Sequence, residues 1–209
     1  MDFFSLIKQR RSTRHFNPAA EISTTELEEL IAAASVAPSG NKRQAWRFVA
    51  VTDRHLCEKL LPAAFNQQQI LTASAILVIL ADREAYGSDN LTRIHQQEYE
   101  EGCFNADTRD FLTRAAIDFY RAHDDATLQK MLGLGTGLCA MILMLAAEAR
   151  GWNTVPMTGY DPEQLRQLFD IPARYTDVMM LAIGKATQSG HRTLRRPVSA
   201  ILTWNRVPE

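Results

Sequence analysis

The sequence has little cysteine, no long uninterrupted apolar run and no excess of either charge sign. Its three cysteines, Cys57, Cys103 and Cys139, are widely spaced and form no CxxC pair. Neither a disulfide framework nor a zinc knuckle is therefore expected. The first residues carry an early acid and no long apolar stretch, so no secretory signal is expected either. These features together predict a soluble protein in a reducing, cytoplasmic compartment.

Membranes and nucleic acids are not expected as partners. The most apolar helical segment, around 141–147, is interrupted by Glu148 and Arg150. We expect it to be too short to span a bilayer, which takes ~20 apolar residues. Lys and Arg number 23 and Asp and Glu 24, for a formal net charge of -1. A general nucleic-acid binder normally shows a basic excess, which this chain lacks.

Patterns typical of metal sites, hydrolases and nucleotide loops are also missing. The five histidines are scattered and form no HxH or HExxH motif, so no metal site is expected. There is no GxSxG nucleophile elbow. Gly133, Gly135 and Gly137 lack both the further glycine of a dinucleotide fingerprint and a clear preceding strand. Close packing of a helix against a flat surface is the better interpretation of these glycines.

The 209 residues, 46% of them hydrophobic, predict one compact domain over 1–209, or at most two small ones. Helices come first and strands separated by helices follow, which favours an α+β or α/β sandwich. Residues 84–127 are polar and predict an irregular segment with a helical portion near 111–120. The other predicted elements are a helix capped by the Ser23–Glu26 box, a strand at 46–51, a helix after Asp53, a buried strand at 76–80, a helix from about 128 to Gly151, a strand at 155–157, a helix at Asp161–Pro162, a strand at 178–183 and an extended arm from 185.

Basic residues cluster near both ends of the chain. Arg10, Arg11 and Arg14 lie with two hydroxyl residues within five positions. Guanidinium forks and hydroxyls suit a phosphate, but a solvated basic helix end fits the composition as well. A second cluster, which includes Arg192 and Arg195, lies in the acid-free stretch 185–208.

Two further polar segments could bind a planar ligand. The loop from Pro38 to Gln44 joins a predicted helix to a predicted strand, and 66–69 is a run of amides before a buried strand. Amides donate and accept hydrogen bonds, as the edge of a flavin or nucleobase requires. A turn and a helix cap are the simpler interpretations.

Six motifs in order resemble the flavin-binding nitroreductase family over essentially the whole chain. Each motif is weak alone, and their common order makes the resemblance specific. They are Arg10-Arg11-Ser12-x-Arg14-x-Phe16, Ala37-Pro38-Ser39-Gly40-Asn41-x-x-Gln44-x-Trp46-Arg47-Phe48, Phe65-Asn66-Gln67-Gln68-Gln69, Pro156-Met157-x-Gly159-Tyr160-Asp161, Ile183-Gly184-Lys185-Ala186, and Arg195-Arg196-Pro197 through Thr203-Trp204.

The resemblance implies an α+β fold, a nitroreductase-like α/β sandwich with a central, mostly antiparallel sheet flanked by helices. It further implies a homodimer in which the C-terminal arms are exchanged. Two FMN molecules would lie at the subunit interface, each held by residues of both chains.

The resemblance also assigns FMN-binding residues. Arg10, Arg11 and Ser12 would contact the phosphate and ribityl chain, and Arg195 would close on the phosphate, with Arg192 as a weaker candidate. The residues around the ring would be Arg14 at the N1–O2 edge, Pro38, Ser39 and Asn41 on the partner's side with Gln44 nearby, Asn66 and Gln69 at the pyrimidine edge, and Met157, Thr158 and Gly159 near N5.

The implied activity is transfer of hydride from NAD(P)H through flavin N5 to small nitroaromatic or quinone-type acceptors, by a ping-pong mechanism. No side chain is expected to act as a catalytic nucleophile, because the flavin carries the chemistry. Arg14 would favour the negative charge of the reduced flavin at N1–O2. The alternatives are another flavin chemistry on the same scaffold (a dehydrogenase or oxidase, flavin fragmentation or reductive dehalogenation) and a non-catalytic anion-binding protein.

Three positions depart from the pattern of the family. Ala45 stands where many relatives have proline, Thr158 where one subgroup has an acid, and Gln69 where that subgroup has lysine. Arg14 would then be the main charge at the pyrimidine edge. The segment 84–127 is expected to cover the substrate pocket, with Tyr99, Phe104, Phe111 and Phe119 as candidate walls, although aromatic residues at such spacing are more often core.

Overall fold

The computed structural model describes residues 2–206, in which a four-stranded sheet lies between helical layers. The strands are β1 (Trp46–Val51), β2 (Ala75–Asp82), β3 (Asn153–Met157) and β4 (Tyr175–Gly184). The α-helices are α1 (Phe3–Gln9), α2 (Thr24–Ala34), α3 (Arg54–Leu60), α4 (Gln69–Thr72), α5 (Ser88–Glu100), α6 (Ala106–Arg121), α7 (Asp125–Ala149) and α8 (Pro162–Leu168). Short 3₁₀ turns occur at Gly40–Lys42, Arg83–Tyr86 and Val198–Ala200.

The sheet has the order β1-β2-β4-β3, and all three neighbouring pairs are antiparallel. The predicted α+β sandwich with a mostly antiparallel sheet is confirmed. Strand β2 is buried along its whole length, whereas antiparallel strands commonly leave one face in water.

Helices on both faces of the sheet explain the continuous apolar run of β2. Ile76, Val78 and Leu80 pack into one core with residues of α3 and α8. Leu77 and Ile79 point the other way, into a core built with α2 and α7. Each face therefore buries branched side chains, and the run shows no polar alternation.

Helix α7 is the longest element and crosses the second core. Cys139, Leu143 and Ala147 pack there against the sheet, and the helix ends before Gly151, whose φ is +73°. The expectation that this apolar segment is too short to span a bilayer was wrong, because α7 has 25 residues and is long and apolar enough by length and composition. A core helix of a soluble protein meets the same criteria.

The predicted irregular segment at 84–127 is instead largely helical, which corrects the sequence-based interpretation. It contains α5 and α6, of which only the second was partly expected. Each helix buries few side chains, Leu91 and His95 on α5 and Ala116 and Tyr120 on α6. Such sparse burial leaves too few apolar positions to give a clear helical period.

The predicted helix starts are confirmed by their side-chain caps. The Ser23 hydroxyl accepts from the backbone N–H of Glu26, whose carboxylate accepts from the N–H of Ser23. The carboxylates of Asp53 and Asp161 accept from backbone N–H groups in the first turns of α3 and α8. Local chemistry thus determines where these helices begin.

The C-terminal arm leaves the sheet after β4 and passes the N-terminal segment. The backbone N–H of Thr187 donates to the carbonyl oxygen of His15 at 2.9 Å. From 191 to 206 every residue is exposed, including Leu194 at 98% and Trp204 at 78%. Exchange of this arm in a dimer stays a prediction.

Candidate functional site

The segment 10–16 runs along the outer edge of the sheet. Ser12 bridges Thr154 of the edge strand β3, and Phe16 bridges Ala186 just after β4. Gly184 makes the second contact possible, since a Cβ there would lie 2.7 Å from Phe16 Cδ1. These contacts fix the backbone that carries the basic cluster.

Neighbouring arginines of this cluster have different environments. One guanidinium nitrogen of Arg11, Nη1, donates to the carbonyl oxygens of Lys8 and Arg10 at the C-terminal end of α1. Nη1 of Arg10 is buried and has no hydrogen-bond partner among the described residues. A buried donor without a partner is costly, so Arg10 is suited to an anion from outside the chain. Arg14 is exposed between the two bridges.

The amide run lies against the C-terminal end of β3. The carboxamide of Gln67 donates to the carbonyl oxygens of Gly159, at 2.7 Å, and Ala64, at 3.0 Å. The carboxamide of Gln69 donates to Gln67 Oε1 at 2.9 Å and lies 3.7 Å from the sulfur of Met157. The structure therefore brings together two of the motifs that the resemblance assigns to the flavin ring, the amide run and the segment 157–159.

Exposure differs among the ring-assigned residues of these two motifs. Gln69 and Met157 are buried, whereas Asn66, Thr158 and Gly159 are exposed. Asn66 has a φ of +57°, and Phe65 before it has a φ of +53°. Such conformations are uncommon for residues other than glycine and often mark functional loops.

Both groups of predicted contacts lie along β3. Ser12 pairs with Thr154 near the start of this strand, and Gln69 contacts Met157 at its end. Three residues of an extended strand span roughly 10 Å. One edge strand therefore sets the spacing between the basic cluster and the amide run.

The loop before β1 has a strained backbone. Asn41, Lys42 and Gln44 all have φ between +46° and +55°. The Ser39 hydroxyl accepts from the backbone N–H of Gln44 at 3.1 Å. The side-chain amide of Asn41 donates to the Tyr120 hydroxyl at 2.8 Å, so it is directed at α6. Pro38 at the start of the loop is exposed.

Arg43 is a notable residue that the sequence-based reasoning missed. Its guanidinium carbon lies 4.0 Å from the ring centroid of Tyr86 and 4.1 Å from that of Tyr120. Burial lowers the pKa of this guanidinium to about 10. The sequence shows a basic residue next to Lys42 in a turn and gives no signal that two distant tyrosines enclose it.

The arginines of the arm are not brought onto the basic cluster within this chain. Arg192 and Arg195 are exposed. The arm does reach the cluster at Gly190, where an added Cβ would lie 2.6 Å from the carbonyl oxygen of Ser12 and 2.8 Å from Arg11 Cβ. The roles of Arg192 and Arg195 at a phosphate stay predictions. Within residues 2–206, no group of three or more His, Cys, Asp or Glu side chains could hold a metal ion.

The chain is similar to known proteins over almost its whole length. The family model described as the nitroreductase family matches residues 7–185. A candidate NAD(P)H nitroreductase of Bacillus subtilis (strain 168), YdgI, is 35% identical over 205 residues, covering 97% of each chain. The CLA biosynthesis enone reductase of Lactiplantibacillus plantarum is 30% identical over 197 residues, covering 93% of this chain and 90% of the relative. A candidate nitroreductase of Exiguobacterium sibiricum, crystallised in complex with FMN, matches with a TM-score of 0.92 at 33% identity over 98% of each chain.

Proposed function

The chain belongs to the nitroreductase family, and from this premise we propose that it passes hydride from NAD(P)H to nitroaromatic or quinone-type acceptors by a ping-pong mechanism. It is an NAD(P)H-dependent FMN oxidoreductase. Bound FMN would supply the chemistry of hydride transfer from the nicotinamide to the acceptor. The donor and the acceptor would then use the same pocket in turn.

The contact between the amide run and the end of β3 carries this proposal. The 2.7 Å hydrogen bond from Gln67 to the carbonyl oxygen of Gly159 joins two motifs that are 92 residues apart in sequence. Both motifs are assigned to the flavin ring by the resemblance. One ligand with a polar edge could therefore contact Asn66, Gln69 and the exposed Gly159 together.

The donors present fit FMN. The unpartnered Nη1 of Arg10 suits a phosphate oxygen, since charge-assisted bonds to Arg are the strong ones. Ser12 beside it offers a hydroxyl for the same group. The guanidinium of Arg14 would stabilise the negative charge of the reduced flavin at N1–O2. No side chain needs to act as a nucleophile, so the residues of this chain bind, orient and neutralise charge.

A homodimer would complete the site. Pro38, Ser39, Asn41 and Gln44 are assigned to the flavin ring of the partner subunit, and Arg195 to the phosphate. The exposed apolar side chains of the arm support an exchange that covers them in a dimer. We place this single FMN-binding domain, 1–209, in the cytoplasm.

Enones are a second acceptor class worth testing, because the Lactiplantibacillus plantarum relative is named an enone reductase. Both acceptor classes take up the same hydride equivalent. Reduction of either class would use the same residues assigned to FMN, and the two classes would differ in the pocket that they require. An acceptor panel can therefore compare them with one preparation.

Steady-state kinetics would test the proposal. The purified protein, loaded with FMN, is assayed with NADH and with NADPH against a nitroaromatic, a quinone and an enone. Parallel double-reciprocal lines for one donor and one acceptor are expected. Intersecting lines would contradict the shared pocket, and no turnover with any acceptor would favour a different flavin chemistry.

A further inference from the structure

A small crevice beneath the loop before β1 is lined by polar groups without partners. Its volume is about 20 Å³, and Arg43, Tyr86 and Thr136 are among its lining residues. Nε and Nη1 of Arg43, the Tyr86 hydroxyl and the Thr136 hydroxyl are all buried and have no hydrogen-bond partner among the described residues. Each of these groups can donate a hydrogen bond. The crevice is therefore suited to an acceptor atom.

The charge of Arg43 is uncompensated within the described part of the chain. Its side chain is buried, with 7% of the residue exposed, and it belongs to none of the ion pairs formed there. The rings of Tyr86 and Tyr120 supply cation–π attraction. That attraction does not replace the water that the guanidinium has lost, so an anion would be stabilised at this position.

An apolar groove of about 430 Å³ adjoins the crevice and shares Arg43 with it. Phe119, Leu134 and Leu138 form part of its wall and are exposed. Arg43 is the single charged side chain among the groove's lining residues. A concave apolar surface with one convergent cation is suited to an apolar ligand that carries one negative group.

We propose that this groove binds the electron acceptor and that Arg43 selects acceptors bearing a carboxylate. The planar body would lie against Phe119 and Leu134, and one carboxylate oxygen would enter the crevice toward Arg43. A crevice of about 20 Å³ holds one water-sized atom, which fits one oxygen and excludes the rest of the ligand. The inference rests on the proposed function, because Pro38 and Ser39 of the groove are assigned to the flavin ring.

Paired acceptors provide the test. The holoenzyme is assayed with 4-nitrobenzoate and with nitrobenzene, which differ by one carboxylate. In the wild type, kcat/KM is expected to be at least about tenfold higher for 4-nitrobenzoate, equivalent to ~1.4 kcal/mol. Arg43→Met is expected to bring the ratio of the two values close to one, mainly by raising KM for the carboxylate-bearing acceptor.

A matched variant separates local recognition from general electrostatics. Arg114→Met removes the same charge from an exposed position on α6 and is expected to keep the wild-type ratio. Tyr86→Phe removes a single unpartnered hydroxyl, keeps the ring against Arg43, and is expected to lower the ratio severalfold. This variant also tests the site if Arg43→Met does not fold.

Binding of benzoate to the flavin-free protein provides a readout that needs no turnover. Benzoate is expected to raise the thermal unfolding midpoint of the wild type and not that of Arg43→Met. If the wild type reduces no acceptor, the proposed function fails while the benzoate result still reports on the groove.

Several results would overturn the carboxylate assignment. A wild-type ratio near one, or an equal loss for both acceptors in Arg43→Met, would leave Arg43 a structural residue. Loss of FMN affinity in Arg43→Met would assign the residue to the flavin. Dissociation of the dimer in this variant, with no benzoate effect in the wild type, would assign the groove to the second subunit.

Discussion

Two adjacent arginines show how strongly the role of a residue depends on its surroundings. Arg11 donates to carbonyl oxygens at the end of α1, as a basic residue at a helix C-terminus commonly does. Arg10 keeps a buried nitrogen that has no hydrogen-bond partner within residues 2–206. The composition of the cluster is compatible with a phosphate site and with a basic helix end, and the structure favours the first for Arg10 and the second for Arg11.

Arg10→Met is predicted to weaken FMN binding more than Arg11→Met. A hydrogen bond to a charged group contributes about 1.5–3 kcal/mol, so Arg10→Met should raise the Kd of FMN roughly 10- to 100-fold. Titration of flavin-free protein by flavin fluorescence measures both values. Arg11→Met is the control and should instead lower the thermal midpoint. An equal rise in Kd for both variants would contradict the division of roles.

Thiol reactivity is predicted to distinguish the three cysteines. Burial raises the pKa of the Cys139 thiol to about 12 and also raises that of Cys57, whereas Cys103 is exposed. The thiolate is the reactive form, so Ellman's reagent at neutral pH should modify one thiol in the folded protein. Denaturant should expose all three. A Cys103→Ser variant that still reacts when folded would contradict this assignment.

The residue types of the candidate site could be predicted from the sequence, but several of their contacts could not. Arginines and amides at 10–14 and 66–69 indicate anion and amide-edge chemistry wherever they lie. The burial of Arg43 depends on Tyr86 and Tyr120, which lie 43 and 77 residues further along the chain. No local pattern encodes such a contact.

Among the helices and strands, the helix starts that depend on neighbouring side chains were predicted best from the sequence. The caps at Ser23, Asp53 and Asp161 predicted helix starts that the structure confirms, because a cap needs only three or four neighbouring residues. Helix α5 was not predicted, because two residues, Leu91 and His95, make up its buried side. A helix that is stabilised mainly by packing against α6 gives little signal of its own.

Gly184→Ala is predicted to displace the segment 12–16 from the sheet edge. The added methyl group would lie 2.7 Å from Phe16 Cδ1, and overpacking of this kind typically costs about 1–3 kcal/mol. Urea denaturation should show that loss of stability, together with weaker FMN binding. The double variant Phe16→Leu/Gly184→Ala should lose less free energy of unfolding than the sum of the losses in the two single variants. Strict additivity would contradict the proposed contact.

At the scale of the whole molecule, α7 carries a face that nothing in the described chain covers. A Cβ added at Gly133 or Gly137 would meet no atom of the described residues within 4 Å, and neither glycine lines the groove that contains Arg43. The sequence predicted close packing of these glycines against a flat surface. The described chain offers no such surface, so a second subunit is the expected one.

Gly137→Leu is predicted to weaken the proposed dimer while leaving the subunit folded. The new side chain has open space within the chain, so helix and core should persist. Analytical ultracentrifugation should show a rise in the dimer dissociation constant, and circular dichroism should remain that of the wild type. Lys130→Leu, at an exposed position on the same helix, is the control. An unchanged dimer would place the subunit interface elsewhere.

The even charge balance of the chain argues against a general nucleic-acid partner. The structure refines that inference, because 23 cations and 24 anions still leave Arg10 with a buried donor that no other described residue pairs. Local charge, and not the net charge, determines the fit to FMN. The arm reaches this edge at Gly190, and contact of Arg195 with the phosphate stays a prediction.

Anaerobic mixing of the FMN-loaded protein with NADH or NADPH tests whether this chain passes reducing equivalents from a nicotinamide through FMN. The flavin absorbance should bleach with at least one nicotinamide and return in full when a nitroaromatic or quinone is added after the donor has been removed. A flavin that stays oxidised with both donors, or a purified protein that takes up no FMN, would contradict an NAD(P)H-dependent FMN oxidoreductase.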